Sequence, residues 1–132
     1  MRNFNTLKVW QKAHELVLDV YRHTQCFPSE ERFGLTAQLR RSAASIPANI
    51  AEGCGRHTDR EVAHFLNIAA GSASETEYHL LLALDLGFLE QAPHAALTGL
   101  VREIRKMLAA FRSRLTAERW CARPSLGRRK MK

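Results

Sequence analysis

Apolar residues recur every three or four positions through four long stretches of this chain, and no alternation of apolar and polar residues persists anywhere along it. That spacing places each apolar set on one side of an α-helix rather than on one face of a strand. Four amphipathic helices with short connections have one simple way to bury their stripes, an all-α, antiparallel up-down-up-down four-helix bundle. The 132 residues fit a single domain of this kind, long enough to hold a core without disulfides or metals.

The first helix is predicted from Leu7 to Cys26, with Trp10, Ala13, Val17, Val20, Tyr21 and Thr24 facing inward. Phe27-Pro28 ends it, because the residue before a proline leaves the helical region. The second is predicted over Leu35 to Cys54, with Leu35, Leu39, Ala43, Ile46 and Ile50 on one face. Pro47 lies inside it, where its ring opposes the Ala43 carbonyl and a kink or a break is expected. Gly53 and Gly55 then stop the helix. Thr58 and Glu61 form a capping box that opens a third helix, Asp59 to Leu86, roughly 40 Å long, which Gly87 terminates. Gly71 in its middle costs about 1 kcal/mol against alanine, so a close approach of another element is expected there. The fourth helix is predicted from Pro93 to Cys121, with Leu97, Leu100, Val101, Ile104, Met107, Leu108, Phe111 and Leu115 inward. The bundle thus occupies residues 1–121, and residues 122–132, broken by Pro124 and Gly127, form a basic tail expected to be disordered.

Charge divides the chain more sharply than its total of +7 suggests. Residues 1–111 hold 12 Lys+Arg and 12 Asp+Glu, whereas residues 112–132 hold eight cations against Glu118 alone. Those cations are Arg112, Arg114, Arg119, Arg123, Arg128, Arg129, Lys130 and Lys132. A neutral body with a basic arm points to a polyanion as partner. No apolar run reaches the ~20 residues of a membrane span, and Met1 to Asn5 lacks the apolar stretch of a signal peptide. A cytoplasmic protein without membrane contact is expected. Cys26, Cys54 and Cys121 are odd in number and widely spaced, so they read as free thiols rather than as a disulfide framework or a zinc site.

Nothing in the sequence assembles an enzyme site. Glu61-x-x-His64 has the ligand spacing of di-iron bundles, but those need a second such motif and two further glutamates. The six histidines are scattered, and no serine or cysteine has a triad context. Gly53-x-Gly55 lacks the strand and the Lys-Ser/Thr of a phosphate loop. No catalytic residue, cofactor or metal is therefore expected. Arg40-Arg41 and Arg56 with Arg60 flank the second helix and its following turn, either as a solvated, ion-paired face or as an anion-binding surface. Small or apolar residues also occupy a second face of the middle helices, at Ala37, Ala44, Ala48, Ala51, Ile68, Ala70 and Leu81. A bundle this small cannot cover all of them, so a homo-oligomer is expected.

Several stretches carry a family resemblance: Val9-Trp10-Gln11-Lys12-Ala13, Phe27-Pro28 with Glu31, Gly34-Leu35-Thr36-Ala37-Gln38-Leu39-Arg40-Arg41, Ser45 to Gly53, Gly71-Ser72 and Leu86-Gly87-Phe88-Leu89. Over Phe4 to Leu115 the chain resembles a bacterial four-helix-bundle family first noticed as reading frames within intervening sequences of 23S ribosomal RNA genes. That family includes the accessory variability proteins of diversity-generating retroelements. The resemblance implies an up-down bundle assembled as a homopentameric ring with a central pore. It also implies, as partners, DNA or RNA and, for the retroelement relatives, a reverse transcriptase. By that analogy Arg40, Arg41, Arg56 and Arg60 are contacts for nucleic acid; the tail beyond Arg119 lies outside the resemblance and rests on charge alone. The expectation is a non-enzymatic, oligomeric scaffold that binds nucleic acid or a reverse transcriptase. The alternatives are a protein-interaction scaffold with no nucleic-acid role, and an enzyme or metalloprotein with an unrecognised bundle site.

Overall fold

The structure, a computed structural model, describes the backbone of residues 3–122 and the side chains of residues 3–115. Four α-helices follow one another: α1 (Lys8–Thr24), α2 (Leu35–Cys54), α3 (Asp59–Asp85) and α4 (Gln91–Ala122). Short 3₁₀ turns at Phe4–Thr6 and Ser29–Glu31 precede α1 and α2. Each helix packs on the next and α4 closes back on α1, with no strand among the described residues. Cross-contacts run antiparallel: Ser45 meets Ser72 while Ser42 meets Thr76, and Asn67 meets Arg112 while Glu77 meets Arg102. No helix among the described residues is long and apolar enough to cross a membrane. The helix of residues 91–122 extends one residue past the expected end of the bundle. The expected disordered tail beyond it, with Pro124 and Gly127, lies outside the described residues.

The core takes its largest side chains from every helix: Leu16 from α1, Leu39, Ile46 and Ile50 from α2, Leu66 and Leu80 from α3, Ile104 and Leu108 from α4. The predicted inward stripe of α2 is buried throughout. In α1 the buried line is instead Val9, Ala13, Leu16, Val20 and Thr24. Tyr21 is exposed, while Trp10 and Val17 are only half-buried. The displacement has a visible cause. Trp10 sits on the bundle edge between the Phe4 ring and the stacked His14 imidazole, so the aromatic marks the rim of the core, not its centre.

The helix ends are chemically distinct. At α2 the Glu31 carboxylate accepts the Leu35 N–H at 2.9 Å, taking the place of a capping hydroxyl. At α3 the Thr58 hydroxyl accepts from the Glu61 N–H at 3.2 Å, as expected. The Glu61 carboxylate, however, receives the Thr58 hydroxyl proton at 3.0 Å and not the Thr58 backbone N–H. Gly87, at φ +80°, ends α3 as expected: the Phe88 N–H reaches back to the Ala83 carbonyl at 2.9 Å and the Gly87 N–H to that of Leu84 at 3.0 Å. Of the two outcomes expected at Pro47, the break does not occur: α2 runs through it, with the proline ring buried.

The glycine of close approach is not the one expected. A Cβ at Gly71 would meet nothing within 4 Å. A Cβ at Gly53 would lie 3.1 Å from the Phe65 Cβ and 3.5 Å from the Val62 carbonyl oxygen. Gly53 is therefore where the end of α2 touches the start of α3, while Gly71 faces solvent. The two should respond oppositely to substitution. Gly71→Ala is expected to raise stability by up to about 1 kcal/mol through helix propensity. Gly53→Val is expected to lower it by roughly 1–3 kcal/mol through overpacking. Thermal denaturation followed by circular dichroism checks both; a shift of the same sign in the two variants contradicts this assignment.

Candidate functional site

The two arginine pairs expected to bind an anion, Arg40 with Arg41 and Arg56 with Arg60, do not converge on each other. Arg40 lies in the first half of α2, whereas Arg56 lies just beyond the helix's C-terminal end. Arg40 is occupied within the fold. Its Nε donates to the Thr24 hydroxyl at 2.8 Å, and its guanidinium lies 4.5 Å above the Tyr21 ring. It ties α2 to the end of α1, while its neighbour Arg41 is exposed. At the other end of α2, Arg56 pairs with Glu52 at 3.4 Å and stacks 4.7 Å over Phe65. Arg60, exposed, shares a shallow hollow with Arg56, Glu61, His64 and Phe65. Of the residues around the C-terminal third, Arg114 lies over the Phe111 ring at 5.6 Å. The side chain of Arg119, and Arg123, Arg128, Arg129, Lys130 and Lys132, lie outside the described residues.

A different set of cations does come together. Along α4, Arg102, Arg105, Lys106 and Arg112 turn to one side and form the wall of a groove against α3, with a volume of ≈ 590 Å³. Its floor is small: Ala70, Gly71 and Ser74 from α3, and Ala109 from α4. The unpacked Gly71 is thus explained by the groove over it. A second stretch continues the trough past Glu77 to Tyr78, Leu81, His94 and Thr98, sharing Ser74, Arg102 and Arg105 with the first. Glu77 is the one carboxylate among the described lining residues. It accepts from Arg105 at 2.9 Å and from Arg102 at 3.2 Å. Arg112 reaches across the far end to the Asn67 amide oxygen. The spacing of the wall residues, 102, 105, 106, 109 and 112, is that of one helix face.

Only Arg112 of this wall was among the expected residues. The other three were hidden by a sum. The balance of cations and anions over residues 1–111 comes to zero, yet Glu103, the acid within this run of α4, points away and pairs with Lys12 of α1 at 3.1 Å. The signal that could have found the cluster is the spacing of Arg102, Arg105 and Lys106 on the polar side of α4, opposite the stripe of Val101, Ile104 and Leu108.

Other polar groups serve the fold. Between α2 and α3 the Thr76 hydroxyl donates to that of Ser42 at 2.9 Å, and the Ser45 and Ser72 hydroxyls lie 2.8 Å apart. Ser42, His79 and Glu75 come nearest to a nucleophile, base and acid. The His79 Nδ1 is 3.5 Å from the Ser42 oxygen and its Nε2 3.9 Å from Glu75. Ser42 is nevertheless buried at 3% exposure, and none of the hollows described above reaches it. Glu61 and His64 are both exposed, and Glu61 is engaged by Thr58. Among the described residues no three His, Cys, Asp or Glu side chains gather as metal ligands. Cys26 is exposed and Cys54 is buried in the core.

Comparison with known proteins adds a family to this geometry. Residues 5–110 match the family described as 23S rRNA-intervening sequence protein. A crystal structure of similar shape is that of a protein of unknown function from the S23 ribosomal protein family of Bacteroides thetaiotaomicron. It superposes with a TM-score of 0.73 at 27% identity, covering 79% of this chain and 97% of that one. No curated protein matches the chain.

The adjacent arginines of α2 provide a test of these roles. Arg40→Ala is expected to cost about 1 kcal/mol of stability, since it removes the bond to Thr24 and the contact with Tyr21. Arg41→Ala is expected to change stability by less than about 0.5 kcal/mol. Chemical denaturation of both variants decides; equal midpoints would mean that Arg40 does not brace α1 against α2.

Proposed function

The chain belongs to the 23S rRNA-intervening sequence protein family, and from that premise we propose that it is a non-enzymatic, oligomeric scaffold that binds nucleic acid through basic surfaces. The observation that carries the reading is the α3/α4 groove, where four cations line one wall and Glu77 is the one carboxylate among the described lining residues, paired with Arg102 and Arg105. Cations held side by side gain most when phosphates replace their counterions. The C-terminal segment, with Arg123, Arg128, Arg129, Lys130 and Lys132, adds a second source of the same chemistry. Exposed apolar side chains support the oligomeric part. Leu18 and Tyr21 on α1, Phe33 after it, and Ile68 on α3 are surfaces that a neighbouring subunit would cover. The homopentameric ring is the assembly that the family resemblance suggests. A reverse transcriptase is the protein partner suggested by the retroelement relatives, and such an enzyme would share the bound nucleic acid.

Fluorescence anisotropy of labelled, mixed-sequence oligonucleotides with the full-length chain tests the binding. Affinity is expected to fall with salt, with a slope of about −0.7 to −0.9 for each phosphate neutralised. Removing residues 123–132 is expected to weaken binding and flatten the slope while leaving helicity and mass unchanged. Absence of binding at low salt overturns the nucleic-acid role and favours a protein-interaction scaffold. Light scattering at micromolar concentration is expected to give a multiple of the 15.0 kDa chain mass; a monomer rejects the assembly.

A further inference from the structure

We propose that the α3/α4 groove accepts a single strand of nucleic acid, with its phosphates against Arg102, Arg105 and Lys106 and an unpaired base against the ring of Tyr78. The proposal rests on the nucleic-acid reading above and narrows it to one strand type and one place.

The shape favours a single strand. Helices in contact have axes 8–10 Å apart. A trough between two of them, floored by Ala70, Gly71 and Ala109, takes one row of phosphates. A duplex has a major groove alone about 12 Å wide and carries its two phosphate rows on a broad convex rod, so it would rest on the rim. The wall has the reach of a short strand. From Arg102 to Arg112 is ten residues of helix, roughly 15 Å.

The aromatic end of the trough points the same way. Tyr78 is 57% exposed on a helix whose other face is core, and Leu81 beside it is also exposed. A base within a duplex has both faces covered by its neighbours, whereas an unpaired base can stack on such a ring. Cations in a row with an aromatic at one end form the combination that holds single strands without reading sequence.

Glu77 gives the groove its unliganded state. It is half-buried, and its two oxygens hold Arg102 and Arg105 in place across the trough. An incoming phosphate competes with this carboxylate for the same two guanidinium groups. Glu77 thus pre-aligns them and lowers the affinity at once. Its amide variant should bind more tightly.

The test compares a labelled single-stranded oligonucleotide of mixed sequence with the duplex of the same sequence, by anisotropy, using the full-length chain. Single strands are expected to bind about tenfold more tightly than duplex. Tyr78→Ala should weaken single-strand binding about five- to tenfold and leave duplex binding unchanged. Arg105→Ala with Lys106→Ala should flatten the single-strand salt slope by about 1.4, two phosphates at about 0.7 each. Gly71→Leu fills the floor at a position with open space above it, so it should abolish the strand preference while the melting temperature is retained. Glu77→Gln should raise single-strand affinity severalfold. Circular dichroism melts and light scattering on each variant establish that fold and mass are intact.

Equal affinity for duplex and single strand, indifferent to Tyr78→Ala and Gly71→Leu, overturns the proposal and leaves the general nucleic-acid reading standing. Loss of affinity in Glu77→Gln overturns the competing role of that carboxylate. Polyglutamate that displaces the labelled strand as well as an unlabelled oligonucleotide does would reassign the groove to acidic polypeptide. No binding of either probe at low salt fails the broader reading, and this one with it.

Discussion

The close packing of α2 on α3 is the contact from which the rest of the molecule is set. It is made by small side chains: Gly53 lies against Phe65 and Val62, and Ala43, Ala69 and Ala73 are wholly buried. Hydroxyls fill what would otherwise be polar vacancies in the seam. Ser42 meets Thr76, Ser45 meets Ser72, and the Asn49 amide donates to both the Ser45 hydroxyl and its carbonyl. Buried polar groups are tolerable only when paired, and pairing across two helices restricts their register more tightly than apolar contact does. A slip of either helix would separate both serine-based pairs together.

That register determines which side of α3 is left for solvent. With Ala69, Ala73, Thr76 and Leu80 turned into the bundle, Gly71, Ser74 and Tyr78 fall on the outer side facing α4. α4 buries Val101, Ile104 and Leu108, and its remaining side brings Arg102, Arg105 and Lys106 to the same trough. Small residues thus serve two ends in one helix. On the α2 side they permit close packing; on the α4 side they leave a channel unfilled. Helix spacing is set by the first, and the groove floor by the second.

Electrostatics follows the same division between what a chain contains and where it puts it. Arg40 and Arg56 each lie over an aromatic ring, over Tyr21 and Phe65, and are joined to neighbours within the fold. Their charge is present at the surface, but their side chains brace helix ends. Arg102 and Arg105 share one carboxylate, which cannot neutralise both. A protein with no net charge over most of its length therefore carries a local excess of positive charge along one groove.

The helices were legible because their signals are local. Apolar spacing fixes a helix face, and Thr58 and Gly87 act within a turn of their own positions. The bounds of α2 agree with expectation to the residue, and those of α3 to within one. The family, too, could be recognised from ordered Pro, Gly and small positions. What needed the tertiary structure was every property that depends on a neighbour distant in sequence. A glycine in a helix costs the same backbone entropy whether it touches another helix or faces water, so the close approach expected at Gly71 could be placed at Gly53 only by the packing. Aromatic Tyr21 carries the same apolar bulk in a core as on an exposed rim with an arginine against one face of its ring. The wall of α4 was lost for a related reason. Charge summed along a chain cancels Glu103 against Arg102, but in space Glu103 faces Lys12 on another helix. Periodicity alone determined four helices and, α1 apart, the direction of their inward faces; which cations share a groove was decided by how those helices pack.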